Sequence, residues 1–236
     1  MRIRIHFRWI APALVAAVLF LVASNHSAAE VVDRIVAIVN GHVILQSDWD
    51  EGLSYEALLT NRSLADFSDD DRRAVLDRLI DQELLHQQMK SADFPHATDA
   101  DVAARLDEAR KLYPDATSPE AWQKILAQFH ITEKDLDLHL RQEIDLMRQV
   151  DARLRPAVQI DSKSIEAYYR QQFVPQLQQS GSREVPLADV SARIRELLTE
   201  KKVNELLVSW LQTLHSEGNI KAPGNSASAV EGSQSQ

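Results

Sequence analysis

VVDRIVAIVNGHVIL, residues 31–45, places Asn40-Gly41 between two runs that are rich in β-branched residues. Asn-Gly accepts the positive φ that a two-residue type I′ turn needs at both central positions, so the stretch predicts a β-hairpin. Ser47 follows the second run and is predicted to cap a helix, with Asp50 three residues later as its capping-box partner. The sequence therefore predicts a hairpin that leads directly into a helix.

Beyond the hairpin, the apolar residues recur at helical spacing almost to the end of the chain. Pro186 introduces the last and longest of these helices, and Gly218 is placed to end it. Asn219-Ile220-Lys221 is predicted to add a short strand to the open edge of the hairpin. The predicted fold is mainly α: a helical array with a small N-terminal β-hairpin, completed by a long C-terminal helix. The other helices are predicted to start at Ser68, Thr98, Ser118, Thr132 and Asp161.

The first 29 residues have the pattern of a secretory signal peptide. Three arginines precede the apolar run Ile10 to Ala23, and Ser27-Ala28-Ala29 offers the small residues that a signal peptidase reads. A membrane-spanning helix needs about 20 apolar residues, so the run is short for an anchor. We expect cleavage after Ala29 and a periplasmic location. The alternative is an uncleaved signal that anchors the chain in the inner membrane.

Composition excludes several classes of function for the 236-residue chain. The absence of cysteine excludes thiol catalysis, Cys-ligated metals and a lipoprotein anchor. Only six glycines, with no phosphate loop, argue against a nucleotide-binding domain, and no cofactor is predicted. Cleavage would remove three arginines and no acids, leaving 23 basic and 35 acidic residues and a formal charge of −12. That charge argues against binding to nucleic acid or to an anionic membrane, and no stable membrane insertion is expected after cleavage.

One candidate metal site occurs on the predicted helix that starts at Thr132. Asp135, His139 and Glu143 are spaced four residues apart and share one helix face. One histidine and two carboxylates make an incomplete site, and a solvated helix face explains the pattern as well. No paired carboxylates or Ser-His-Asp arrangement can be argued from spacing, so no catalytic residue is predicted.

Aromatic residues on the amphipathic helices are the candidates for binding another chain, with a position in the core as the alternative for most of them. The helix at 48–60 carries apolar residues on two faces, which a small helical array cannot easily bury together. One face is therefore predicted to line a groove for an apolar polypeptide. The candidate peptide-binding residues are Trp49, Tyr55, Leu58, Leu59, Trp122, Phe129, Tyr168 and Tyr169.

An ordered set of motifs resembles the SurA family of envelope chaperones and peptidyl-prolyl isomerases. The resemblance covers residues 31–173 and resumes from 187 to 221. Besides the exported N-terminus, its markers are Val36-Ala37-Ile38-Val39-Asn40-Gly41-His42-Val43-Ile44-Leu45-Gln46-Ser47-Asp48, Leu76-Asp77-Arg78-Leu79-Ile80-Asp81-Gln82-Glu83-Leu84-Leu85, Ile131-Thr132-Glu133-Lys134-Asp135-Leu136, Arg141-Gln142-Glu143-Ile144 and Ile165-Glu166-Ala167-Tyr168-Tyr169.

The chain departs from full-length members of that family after the Tyr-Tyr pair. There the family carries one or more parvulin domains, whereas this chain has only residues 174–185, a Gln/Ser-rich stretch predicted as a linker. The resemblance therefore implies a chaperone domain at 30–173, completed by 186–221, without the isomerase. Residues 222–236 are Ser/Gly/Gln-rich and predicted to be disordered.

By this resemblance the chain is expected to be an ATP-independent holdase and not an enzyme. Its expected partners are unfolded exported polypeptides, outer-membrane protein precursors in particular. Two alternatives stay open: prolyl isomerisation by family membership, and a non-catalytic subunit that forms a homodimer or pairs with a full-length homologue.

Overall fold

Three short strands and a series of helices make up the described chain. The computed structural model describes residues 33–89, 94–181, 183 and 185–222, so the predicted signal peptide and the tail from 223 lie outside the described residues. The strands are β1 Ile35–Val39, β2 His42–Leu45 and β3 Ile220–Lys221. The α-helices are α1 Gln46–Thr60, α2 Asp69–Gln88, α3 Asp99–Lys111, α4 Pro119–Gln128, α5 Glu133–Leu154, α6 Ser162–Tyr168, α7 Val174–Gln179 and α8 Leu187–Glu217.

The strands form one antiparallel sheet in the order β2-β1-β3. Asn40 and Gly41 have φ values of 52° and 91°, so both turn residues adopt the left-handed conformation that Asn-Gly predicted. The hairpin and the long C-terminal helix are confirmed, as is the mainly α fold. On the other side of β1, Val39 pairs with Ile220 and Ile38 with Lys221, so β3 forms the second edge of the sheet.

Helix α8 shares a hydrophobic core with the sheet and α2. Leu214 is buried in one cluster with Val39 and Leu84. Two polar contacts add to this packing: the Asn219 backbone N–H donates to Asn40 Oδ1 at 2.8 Å, and His215 Nε2 lies 2.6 Å from Asp81 Oδ1. The C-terminal segment therefore shares one hydrophobic core with the hairpin.

A second core lies between α1, α3, α4 and the first half of α5. It is built around Trp122, Leu126, Leu136 and Leu140, each of which is at most 1% exposed. Half-buried Trp49 packs against both cores and joins them through α1.

Most helix starts are capped as the sequence predicted. The side chains of Ser68, Thr98, Ser118, Thr132 and Asp161 each accept a hydrogen bond from the backbone three residues later.

The first helix starts differently from the sequence prediction. Its N-cap is Leu45, and Asp48 Oδ2 accepts the Leu45 N–H at 2.8 Å. Ser47 lies inside the helix instead of capping it. The reason is that β2 runs into α1 without a loop, and Gln46 N–H still donates to Arg34 C=O across the hairpin at 2.7 Å.

The segment 174–185, predicted as a linker, is partly helical. Helix α6 continues through a π-helical turn, Tyr169–Phe173, into α7. Pro175 lies in the first turn of α7, directly after the π-helical turn. The Tyr169 hydroxyl then donates to Val185 C=O at 2.8 Å and ties the returning chain to this helix.

Candidate functional site: a crevice between helices α3, α5 and α8

An open crevice of about 490 Å³ lies between α3, α5 and α8. Its floor is apolar and is formed by Ile144, Met147, Val150 and Val203. Val150 and Val203 are buried, whereas Met147 is 48% exposed. An unbranched thioether adapts its shape to different neighbours, so an exposed methionine in the lining of a crevice favours contact with varied apolar groups.

The rim of the crevice is charged, and its arginines are already paired within the protein. Arg105 lies 3.6 Å from Glu143, and Arg148 lies 2.9 Å from Asp101. Arg155 bonds both Asp151 at 2.8 Å and Glu196 at 2.7 Å, and these two carboxylates raise its pKa. The rim therefore offers polar groups without a strong net charge around an apolar floor.

Helical spacing brings the floor together. On α5, Ile144 and Met147 are three residues apart and lie on one face, next to the buried stripe that ends at Val150. Thr132 fixes the start of α5 through its capping box with Asp135. Val203 supplies the facing wall from α8, so the crevice exists only when α8 is docked.

Four of the residues predicted to bind peptide lie in the core instead of on a surface. Tyr55, Leu58, Trp122 and Phe129 are 4%, 0%, 1% and 8% exposed. Tyr55 still borders two cavities that are smaller than the crevice, and Phe129 borders another of about 540 Å³. In this structure these four side chains pack within the hydrophobic core.

The other four predicted residues are half-buried and separate from the crevice. Trp49 Nε1 donates to Arg72 C=O at 2.9 Å, and Leu59 packs against the core around Trp122. Tyr168 and Tyr169 lie at the junction of α6 with the π-helical turn. Of the eight predicted residues, none belongs to the described lining of the crevice, so the structure does not bring them together there.

Both apolar faces of α1 are covered, which corrects the prediction that one of them stays open. Leu53 and Ala57 on one face are 3% and 0% exposed, and Leu58 on the other face is fully buried. Helix α2 packs closely on α1, where a Cβ at Gly52 would lie 3.1 Å from Val75 Cγ1. Tyr113, whose hydroxyl donates to Leu58 C=O at 2.7 Å, closes the opposite side.

Comparison with known families assigns residues 2–150 to a SurA-like N-terminal domain. The chain belongs to the SurA-like N-terminal domain family. This membership supports a periplasmic, chaperone-type function. No parvulin domain is detected in the chain. Within the described residues, none of the helices combines the length and apolar character that crossing a membrane requires.

Comparisons with individual proteins give little further detail. A search of the curated proteins finds no match. Among solved structures, one from work on PEB4 and Cj1289, two SurA-like chaperones of Campylobacter jejuni, aligns over 79% of this chain and 98% of that chain. The identity is 10% and the TM-score is 0.45.

The three residues of the candidate metal site of this SurA-like chain serve other purposes. Asp135 caps α5, and Glu143 lies beside Arg105 at the rim of the crevice. His139 stacks on Tyr55 with 3.7 Å between ring centroids and 14° between ring planes. No group of three or more metal-ligating side chains occurs among the residues that the structure describes.

His139 is expected to make the domain less stable at mildly acidic pH. Burial lowers its pKa below the ordinary 6.5, against the opposing charges of Glu143 and Glu51. The unfolded chain then binds more protons than the folded one, so stability should fall as pH drops below 6.5 towards the lowered pKa. In His139→Phe, which keeps a ring on Tyr55, this part of the pH dependence should vanish.

Urea unfolding of both proteins at about pH 7.5 and pH 5 measures the effect. The difference between them isolates His139, because contributions from the other histidines cancel. Carboxylates with lowered pKa, such as Asp101 and Asp161, lose their contribution only as pH falls below their ordinary 3.8. An equal loss of stability in both proteins between the two pH values would contradict the assignment.

Proposed function

We propose that this SurA-like protein is an ATP-independent periplasmic holdase whose crevice between α3, α5 and α8 binds apolar segments of unfolded exported polypeptides, outer-membrane protein precursors among them. The observation that carries the proposal is the exposed Met147 on an apolar floor, within a rim whose arginines are already paired. Residues 1–29 are proposed to direct export, and N-terminal sequencing of the mature protein would detect cleavage after Ala29. Retention of the segment in the membrane fraction would favour the inner-membrane anchor instead.

Release of clients needs no nucleotide in this mechanism. Each apolar contact in an open crevice is weak, and a client that folds or inserts elsewhere removes itself from the binding equilibrium. The acidic balance of the chain, 35 acids against 26 basic residues, keeps the chaperone itself soluble while it carries an apolar segment.

Met147→Glu is expected to weaken client binding by about five- to tenfold. A carboxylate at this position loses most of the apolar contact that Met147 supplies when a client covers it. The carboxylate must also be desolvated when the client docks. Suppression of aggregation of a urea-diluted outer-membrane β-barrel protein, measured by light scattering against chaperone concentration, reports the change.

Leu138→Glu is the matched control, since Leu138 is on the same helix and is 53% exposed but lies outside the crevice lining. It should suppress aggregation as well as the unaltered protein does. Equal losses in both variants would assign binding to general surface hydrophobicity, and no loss in either would exclude the crevice.

Two alternatives are separated by independent measurements. Acceleration of proline-limited refolding of a model protein, well above background, would establish an isomerase activity that the connection at 174–185 does not account for. A stable dimer in solution with no effect on aggregation would favour a non-catalytic subunit that pairs with itself or with a full-length homologue.

A further inference from the structure

Strand β2 is an edge of the described sheet, so no strand pairs with its outward side. The register pairs Val39 with His42 at the turn and Ile38 with Val43 next to it. Hydrogen-bonded and non-hydrogen-bonded pairs alternate in an antiparallel ladder, so the N–H and C=O of Val43 point away from β1. The Leu45 N–H is already taken by Asp48, whereas Val43 is 45% exposed. Edges of this kind accept an added strand.

A cavity of about 360 Å³ lies directly beside this edge, between β2, α1, α2 and α5. Val43, Ile44 and Leu79 give it an apolar part, and the stacked rings of Tyr55 and His139 close one side. In an extended chain that pairs with β2, every second side chain would point to the same face of the sheet, so alternate side chains could enter the cavity.

The polar part of the cavity is acidic. Asp48, Glu51 and Glu83 line it, and its described lining contains no lysine or arginine. Their contacts are not with permanent cations: Asp48 accepts a backbone N–H, Glu51 accepts the Tyr55 hydroxyl at 3.1 Å, and Glu83 accepts Gln87 Nε2 at 2.6 Å and lies 3.2 Å from His42 Nδ1. A cationic side chain is the complementary ligand.

We propose that β2 and the adjacent acidic cavity form a second client-binding site, which takes an extended polypeptide segment with a lysine or arginine among alternating apolar residues. The segment adds a strand at Val43, and its cationic side chain enters the cavity near Glu51 and Glu83. This proposal rests on the proposed holdase function, and it adds a site for extended backbone to the crevice for apolar side chains.

The test uses the full mature chain and three fluorescein-labelled decapeptides of alternating valine and threonine. One peptide carries a central lysine, the second a central glutamate, and the third is the lysine peptide with alternate backbone nitrogens methylated. Fluorescence anisotropy at low salt should show that the lysine peptide binds about tenfold more tightly than either of the others. The methylated peptide cannot donate to the Val43 C=O, and its methyl groups hinder strand pairing, whereas the glutamate peptide loses the charge contact.

Val43→Pro should weaken binding of the lysine peptide by about tenfold, because it removes the outward N–H while leaving the ladder to β1 intact. Val43→Thr, which keeps the N–H and the branched shape, should bind as the unaltered chain does. Met147→Glu should also bind normally, and Val43→Pro should still suppress aggregation through the crevice, so that failure of this site and failure of the holdase proposal are distinguishable.

Equal affinities for the methylated and unmethylated lysine peptides would overturn the proposal, and this comparison needs no variant should Val43→Pro fail to fold. Equal affinities for the lysine and glutamate peptides would overturn the charge assignment. A concentration-dependent dimer that Val43→Pro abolishes would show that a second copy of the chain occupies the edge, which also overturns it.

Discussion

A chain that ends at Val185 is expected to lose cooperative unfolding altogether. The truncation removes α8 and β3, and with them the buried side chains of Ile194, Val203 and Leu214. Burying each such side chain contributes about 1.5–3 kcal/mol, and three together approach the whole net stability of a domain, about 5–15 kcal/mol. Calorimetry and urea unfolding followed by circular dichroism should show a broad transition without a defined midpoint.

The control is a chain that ends at Ala222, which keeps α8 and β3 and should unfold as the full chain does. A chain that ends at Glu217 keeps the helix but lacks the strand, and should be intermediate. Adding residues 187–222 as a separate peptide should restore a cooperative transition to the truncated chain. A cooperative, equally stable domain in residues 30–185 alone would show that the C-terminal segment is not part of the fold.

The parts of the fold that depend on local chemistry could be predicted from sequence. Asn40-Gly41 fixes the turn because few other residue pairs accept positive φ at both positions. Thr132 and Asp135 mark a helix start because they are three residues apart in sequence and form a capping box. The N-cap prediction at Ser47 was wrong by two residues, because the helix starts at Gln46, directly after β2. Where a strand runs straight into a helix, the backbone of the hairpin sets the start.

The surfaces could not be predicted in the same way, because burial depends on neighbours that are distant in sequence. Leu58 and Met147 both lie on apolar helix faces, yet Leu58 is fully buried and Met147 is half exposed. Tyr113, 55 residues from Leu58, covers the first, while the groove between α5 and α8 leaves the second open. The sequence made Tyr55 and Trp122 candidates for peptide binding, but large aromatic rings contribute most to stability where they are enclosed.

Trp122→Ala is expected to lower the free energy of unfolding by about 3–5 kcal/mol, the usual cost of removing a large buried ring. Trp122 is 1% exposed at the centre of the core formed by α1, α3, α4 and α5, with Tyr113 edge-on at 6.0 Å between ring centroids. The Arg110 guanidinium lies 5.4 Å from the ring centroid and would lose this contact as well. Urea unfolding measures the loss.

Trp122→Phe separates packing from hydrogen bonding at this position. Among the described residues, Trp122 Nε1 has no hydrogen-bond partner, so phenylalanine removes an unpaired buried donor as well as some volume. Trp122→Phe should therefore lower the free energy of unfolding clearly less than Trp122→Ala does. Trp49→Phe is the contrast, because it breaks the 2.9 Å hydrogen bond from Nε1 to Arg72 C=O. If Trp122 were a client-binding residue, Trp122→Ala would leave the free energy of unfolding unchanged and weaken suppression of aggregation. A core role predicts the opposite: Trp122→Ala lowers stability, and suppression of aggregation responds to the crevice variants instead.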